Sequence, residues 1–474
     1  MDYVRTRRIV HRSSLSIERI AVPLFMFLYY VATAKDGWMA VIVLPATLTI
    51  GFFALREKER YMTANDVIAF LCFLFFVISP VQAISNGHFT SDRYVASLPI
   101  GYRHIIVAQA IFCIFYAGFT LTTSALKRFS TEYEYRLDKL SAIMLFGIMC
   151  FAFIAHVLSY GSFGNLLAAR YERDTEELST GIVIWKGLLV SSNLLLFCAA
   201  FGSKKSSYLH KALAILSAVL MLISINPFNI ARNMLFNAWF PLLIVALHGR
   251  IRPIHLHVLF IFAILIVMPI FNYTGREGLT LGDSVAILGD NISQSLSGPF
   301  SDVFDMLCAA TLWFDTHAFH YGQKTVGLLF FFIPRAIWSG KATLTGLDVG
   351  GYLYDLGFLG TPNLSFFIGG DFYADFGLLG PLIGAPLAAL IVYLAIYQRG
   401  SSVNGYKVKL LLYISTLPIL IRGPVGANVG LLFFELIFIA LLLRMLRPIG
   451  IRKRARAHQR QEHRLPNVPV RVAT

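Results

Sequence analysis

Between residues 20 and 446 the chain runs again and again through apolar segments of membrane-spanning length, and this pattern constrains its fold more than any other feature. Hydrocarbon offers the backbone no water, so a segment that crosses it must satisfy its own N–H and C=O groups. Composition agrees. Of the 474 residues 57% are hydrophobic and 14% charged, with a mean hydropathy of +0.66, whereas soluble domains carry about a quarter charged residues. The expectation is an all-α polytopic membrane protein.

About twelve spans emerge when apolar windows are read against loop charge. Nine come first: Ile20–Ala34, Gly37–Leu55, Val67–Ser85, His104–Ala125, Leu140–Tyr160, Ile182–Gly202, Leu213–Ile225, Met234–Leu247 and Val258–Phe271. Three follow after a long gap: Gly377–Tyr397, Leu410–Ile421 and Val429–Leu446. The layout is then a tail over 1–19, nine helices over 20–272, one large loop over 273–365, three helices over 366–446 and a basic tail over 447–474.

The net charge of +15 sits at the two ends and in short interhelical loops. The tails and alternate loops hold 29 of the 41 Lys and Arg residues, and 12 are spread elsewhere. An even number of spans puts both termini on one side, and the positive-inside rule makes that side cytoplasmic. The basic residues are therefore read as orientation signals touching anionic lipid, which excludes a nucleic-acid partner. Arg5, Arg7, Arg8 and Arg12 flank a first span without a small-residue cleavage site after them. Cys72, Cys113, Cys150, Cys198 and Cys308 show neither a disulfide framework nor zinc-ligand spacing, and no metal site is expected.

The opposite, external face carries the large loop. Loops of this length concentrate function, and Phe300–Phe314 and Thr325–Ile337 are apolar enough to form short helices on or dipping into the membrane. Cations there run against the orientation rule and call for a partner. They are Arg170, Arg173, Arg232, Arg276, Arg335, Lys341 and Arg422. The plainer reading is snorkelling or pairing with nearby acids, and it is preferred for Arg173 between Glu172 and Asp174. The sharper reading is an anion such as a lipid pyrophosphate, which guanidinium groups grip bidentately. Arg335, Lys341 and Trp338 follow an apolar run and carry that reading furthest.

Asp302, Asp305, Asp315, His317, His320, Asp348, Asp355, Asp371 and Asp375 form a second group, from which a carboxylate or imidazole can assist an attacking hydroxyl. Solvation is the plainer state for any one of the acids, and packing for the histidines among Trp313, Phe314 and Phe319. Nowhere are two Asp residues two positions apart, which favours metal-free chemistry, and no cofactor is expected. A third region, SFFIGGDFYADFGLLGPLIG, offers Asp371 and Tyr373 for a sugar and glycines for close helix approach.

The order FSDVFDML, HYGQKTVGLLFFFIPRAIWSGKA and SFFIGGDFYADFGLLG resembles the bacterial O-antigen (Wzy-type) oligosaccharide repeat-unit polymerases. The matching positions are Phe304, Asp305, Tyr321, Gly322, Pro334, Arg335, Trp338, Lys341, Ser365, Gly370, Asp371, Tyr373, Phe376, Gly377 and Gly380. Ala342 stands where the family usually has proline, and Asp371 where glutamate is common. The resemblance implies a GT-C-like membrane glycosyltransferase of the bacterial inner membrane. Such an enzyme joins undecaprenyl-pyrophosphate-linked oligosaccharides into O-antigen, capsule or exopolysaccharide, and works with a chain-length regulator. In that setting Arg335, Lys341, Asp305 and His320 are the candidate catalytic groups. Arg170, Arg232, Arg276, Arg422, Tyr321, Trp338, Asp371 and Tyr373 are the candidate substrate contacts. An O-antigen ligase shares this architecture, and a lipid-linked oligosaccharide flippase or other transporter is the non-enzymatic alternative.

Overall fold

A computed structural model describes residues 17–33, 38–57, 59, 61–85, 95–96, 98–168, 180–202, 206–226, 230, 232–247, 250–276, 278–291, 302–333, 335–359, 365–423, 425–445 and 447–452. Helices lie on all twelve apolar segments. The first are α1 (Ala21–Thr33), α2 (Trp38–Arg56) and α3 (Ala64–Phe73), which runs through a π turn at Leu74–Ile78 into α4 (Ser79–Ser85). Then come α5 (Tyr102–Leu126), β1 (Thr131–Arg136), α6 (Lys139–Ser159), a short α7 (Phe163–Leu167), α8 (Thr180–Phe201), α9 (Tyr208–Ser224) and α10 (Arg232–Ala246). A second π turn, Ala263–Val267, joins α11 (Pro253–Phe262) to α12 (Met268–Arg276).

The large loop holds α13 (Leu281–Asn291), α14 (Asp302–Trp313), α15 (Gln323–Leu329) and α16 (Thr345–Asp355), and α17 (Ile368–Phe376) follows it. The last part contains α18 (Leu379–Val392), ending in a π turn at Tyr393–Tyr397, then β2 (Arg399–Val403), β3 (Tyr406–Lys407), α19 (Val408–Arg422), α20 (Val425–Arg444) and β4 (Arg447–Arg452). Among the described residues five stretches are long and apolar enough to cross a membrane: Ala64–Val81, Tyr102–Phe129, Lys139–Ser159, Gly181–Phe201 and Leu379–Tyr397. Shorter apolar helices such as Tyr208–Ser224 and Met234–Ala246 accompany them.

Proline and glycine shape this bundle locally. Pro80 has no N–H to give the Phe76 carbonyl one turn back. That carbonyl instead accepts a 2.9 Å hydrogen bond from Gln109 Nε2 on α5. Where α5 crosses α18, a Cβ on Gly118 would lie 2.9 Å from the Ala385 Cβ. Gly380 and Gly384 bring α18 onto α17 so closely that a methyl at either would collide with Phe372. Gly377 turns between the two helices at φ +60, a conformation that suits glycine.

The loops expected on the cytoplasmic side meet on one face. Arg19 Nε donates to Asp66 Oδ1 at 2.6 Å, and the Met62 amide donates to the Ile251 carbonyl at 2.9 Å. Asn404 Nδ2 donates to the Cys198 and Ala199 carbonyls at 3.2 Å. Onto the helices this face adds a four-stranded sheet in the order β3-β2-β1-β4. In it β1 pairs parallel to β2, Thr131 opposite Arg399, and antiparallel to β4, Glu132 opposite Arg452. The first six residues of the basic tail are thus a strand, which their sequence does not announce because the partner lies some three hundred residues upstream.

On the other face the large loop is folded, not draped. Helix α14 sits where an interfacial helix was expected, but Asp302 through Thr311 are buried in protein. The helix expected over Thr325–Ile337 stops at Leu329. Beyond it the Phe330, Phe331 and Ile333 carbonyls accept from Lys341 Nζ at 2.9–3.1 Å, so a side chain replaces the amides that would have continued the helix.

Candidate functional site

The site begins with the start of α15. Tyr321 and Gly322 both have positive φ, 49 and 93, and turn the chain sharply into the helix. Asp375 on α17 fixes this turn from across the fold. Its carboxylate accepts the amides of Lys324 at 3.0 Å and Thr325 at 2.7 Å, and the Thr325 hydroxyl at 2.5 Å. The amides of His320 and Tyr321 donate to the carbonyls of Ala374 and Asp375 at 2.9 and 3.0 Å.

A polar pocket of about 170 Å³ opens beside α15, with Lys324, Arg335, Lys341, Thr343 and Asp371 among its lining residues. Lys324 is buried, ion-paired to Asp348 and donating to the Thr343 carbonyl at 2.8 Å. Arg335 donates to the carbonyls of Lys341 and Ala342 at 2.9 and 3.2 Å, so Arg335 and Lys341 tie the 330–342 loop to itself. Burial and the neighbouring guanidinium hold the Lys341 ammonium below its ordinary pKa. Asp371, only 7% exposed, is the one carboxylate among the described residues lining this pocket. Burial pushes its pKa up to about 6, against the opposing pull of Thr345 and Lys324.

Next to the polar pocket, through side chains common to both, lies an apolar chamber of about 340 Å³. Residues of α3, α5, α18, α19 and α20 line it, among them Phe115, Phe119, Leu387, Leu417 and Leu432. Leu328 and Phe331 belong to both walls. A volume of this size falls within the range of small-ligand sites, and its lining is almost wholly aliphatic and aromatic.

Other candidates from the sequence are placed elsewhere. Arg422, at the end of α19, forms an ion pair with buried Asp302, Nη2 to Oδ2 at 3.2 Å. Asp305, one turn on, is wholly buried, and neither carboxyl oxygen has a hydrogen-bond partner among the described residues. Burial and then Asp302 hold its pKa well above the usual carboxylate range. It lines neither cavity. His320 rests between Trp313 and Phe314, its pKa lowered by burial and then by Lys324. Tyr373 is buried edge-on to Phe314 and Phe319 at 5.7 and 5.6 Å, so its ring packs in the core. Tyr321 is 79% exposed and Trp338 half-buried, and neither lines the polar pocket. Asp315 is held by Arg103 at 3.2 Å and His104 at 2.8 Å. Arg170, Arg173 and Pro334 lie outside the described residues, as do the side chains of Arg232 and Arg276.

Lys324 is the residue that the sequence reading passed over. Its signal was available, since it follows HYGQ inside the motif run, but a lysine beside a glutamine on a short helix looks like surface. Comparison with models of known protein families, with characterised proteins and with solved structures finds no match for this chain.

Proposed function

We propose that this chain is a membrane glycosyltransferase that polymerises undecaprenyl-pyrophosphate-linked oligosaccharide repeat units on the outer face of the bacterial cytoplasmic membrane. In this reading twelve helices span the membrane, the sheet and both termini are cytoplasmic, and the large loop is external. The observation that carries it is the wall shared by the two cavities. A prenyl pyrophosphate is an apolar chain ending in a multiply charged anion. An apolar chamber that shares the side chains of Leu328 and Phe331 with the pocket lined by Lys324, Arg335 and Lys341 has that same division of chemistry. The chamber takes the end of the prenyl chain nearest the head, and the cations take the pyrophosphate. As the glycosidic bond breaks, negative charge grows on the departing phosphate oxygen, and cations already in place favour the transition state.

The motif resemblance gives the reaction its class, and a chain-length regulator is the partner it implies. One observation favours the transporter alternative. Lys186 and Glu435, on α8 and α20, are buried among the helices within electrostatic reach of each other. Buried ionisable residues of this kind often mark a transport path.

The test is a profile of surface and lipid-linked glycans from cells with and without the gene, complemented by wild type or Arg335→Ala. Single capped repeat units in place of long chains, restored by wild type and not by the variant, are the expected result. Finished polymer stranded on its lipid would mean a ligase, and intermediates held on the cytoplasmic face would mean a flippase.

A further inference from the structure

We infer that Asp371 is the proton acceptor of the transfer step, the group that takes the proton from the incoming sugar hydroxyl. The inference rests on the polymerase reading of the same site. Of the ionisable groups among the described residues lining the polar pocket three are cations, Lys324, Arg335 and Lys341, and one is a carboxylate, Asp371. A pocket built only to hold an anion gains nothing from a buried carboxylate, which repels the ligand. A pocket that also transfers a glycosyl group needs a base within reach of the acceptor.

The surroundings keep this carboxylate usable. Lys324 approaches from α15 but is engaged by Asp348 of α16 and by the Thr343 carbonyl. Thr345 faces Asp371 from α16, and Asp375 stands one turn along α17 with its oxygens occupied by Lys324 and Thr325. Arg335 and Lys341 lie across the pocket, fastened to loop carbonyls. Helix α14 packs on the same helix and brings Asp302, held by Arg422, and buried Asp305. Asp371 therefore feels a positive pocket without being locked into a salt bridge. Its pKa of about 6 leaves it ionised at neutral pH and close enough to neutrality to be an effective base.

The step balances. The acceptor hydroxyl oxygen forms a bond to the anomeric carbon, and the bond from that carbon to the phosphate oxygen breaks. The electron pair leaves with the lipid pyrophosphate, which gains one negative charge beside the cations. The hydroxyl proton passes to a carboxylate oxygen of Asp371 and then to solvent.

The experiment uses the full chain in nanodiscs, with lipid-linked repeat units extracted from cells lacking the gene as donor and acceptor. Binding is measured with radiolabelled undecaprenyl pyrophosphate. Asp371→Asn is expected to slow elongation by roughly 10²- to 10⁴-fold. Its affinity for the pyrophosphate is expected to hold or rise, because a negative charge has left an anion site. Wild-type rate is expected to fall as pH drops below about 6, following the Asp371 carboxyl, and Asp371→Glu to move that acidic limb. Elongation within about tenfold of wild type in Asp371→Asn overturns the assignment. So does affinity lost in step with rate, which marks a merely structural residue. If Asp371→Asn does not accumulate, Asp371→Glu decides, and an unmoved limb rejects the role. Wild type that binds the lipid yet makes no chains removes the polymerase reading itself, and the assignment with it.

Discussion

Replacing Asp375 by alanine tests how the candidate site is held. Asp375 is fully buried, and its carboxylate accepts two backbone amides and one hydroxyl at the start of α15. The Thr325 hydroxyl can rotate to another acceptor, but the Lys324 and Thr325 amides cannot. A buried polar group left without a partner costs about 1–3 kcal/mol, so two amides together give about 3 kcal/mol for Asp375→Ala. This energy holds closed a short helix that makes no long hydrogen-bond ladder of its own, so the loss should appear as local opening. Since about 1.4 kcal/mol is a factor of ten, amides 324–329 should exchange with deuterium about 100-fold faster in the variant. Amides of α5 in the same nanodiscs should not change. Asp375→Asn keeps one acceptor oxygen but turns an NH₂ group toward a donor, and should fall between the two. An exchange rate in α15 altered by less than about threefold would show that the loop stands without this cap.

Other consequences are as direct. Lys324→Met and Asp348→Asn should each lower thermal stability by about 2 kcal/mol, with a coupling above about 1 kcal/mol in the double-mutant cycle; strict additivity would mean the ion pair contributes nothing. Burial and then Asp302 raise the Asp305 pKa in the fold above the ordinary value of 3.8 near which the unfolded chain ionises, so between those two values the folded state binds the extra proton. Raising pH from 4 toward 7 should therefore erode stability by up to about 1.4 kcal/mol per unit until the folded pKa is passed. Asp305→Asn should flatten that slope in pH-dependent unfolding, and a parallel profile would refute the assignment of charge.

The apolar helices were legible because their signal is local. Every apolar segment read from the sequence lies on a helix, with ends displaced by a few residues at most sites. The large loop was legible only where its own residues decide the structure. Helix α14 was foreseen, but not that it would be buried on all sides, since burial depends on the helices around it. Helix α15 was drawn too long because nothing in VGLLFFFI announces that Lys341 will claim the carbonyls beyond Leu329. Arg335 and Lys341 were singled out for their unusual placement and do line a pocket. Lys324 and Asp371 owe their positions to contacts between α15, α16 and α17, which no spacing rule encodes. The sheet was invisible for a related reason: each of its strands is short, half-polar and separated from its partners by whole helices.

That sheet has a mechanical consequence. It ties the segment after α5 to those after α18 and α20, and the β2–β3 turn reaches back to the end of α8 through Asn404. Helices stitched together at one end cannot part there without breaking strand pairing. The sheet is thus a pin: the ends of α5, α18 and α20 that it joins stay at a fixed spacing, whatever the rest of the bundle does.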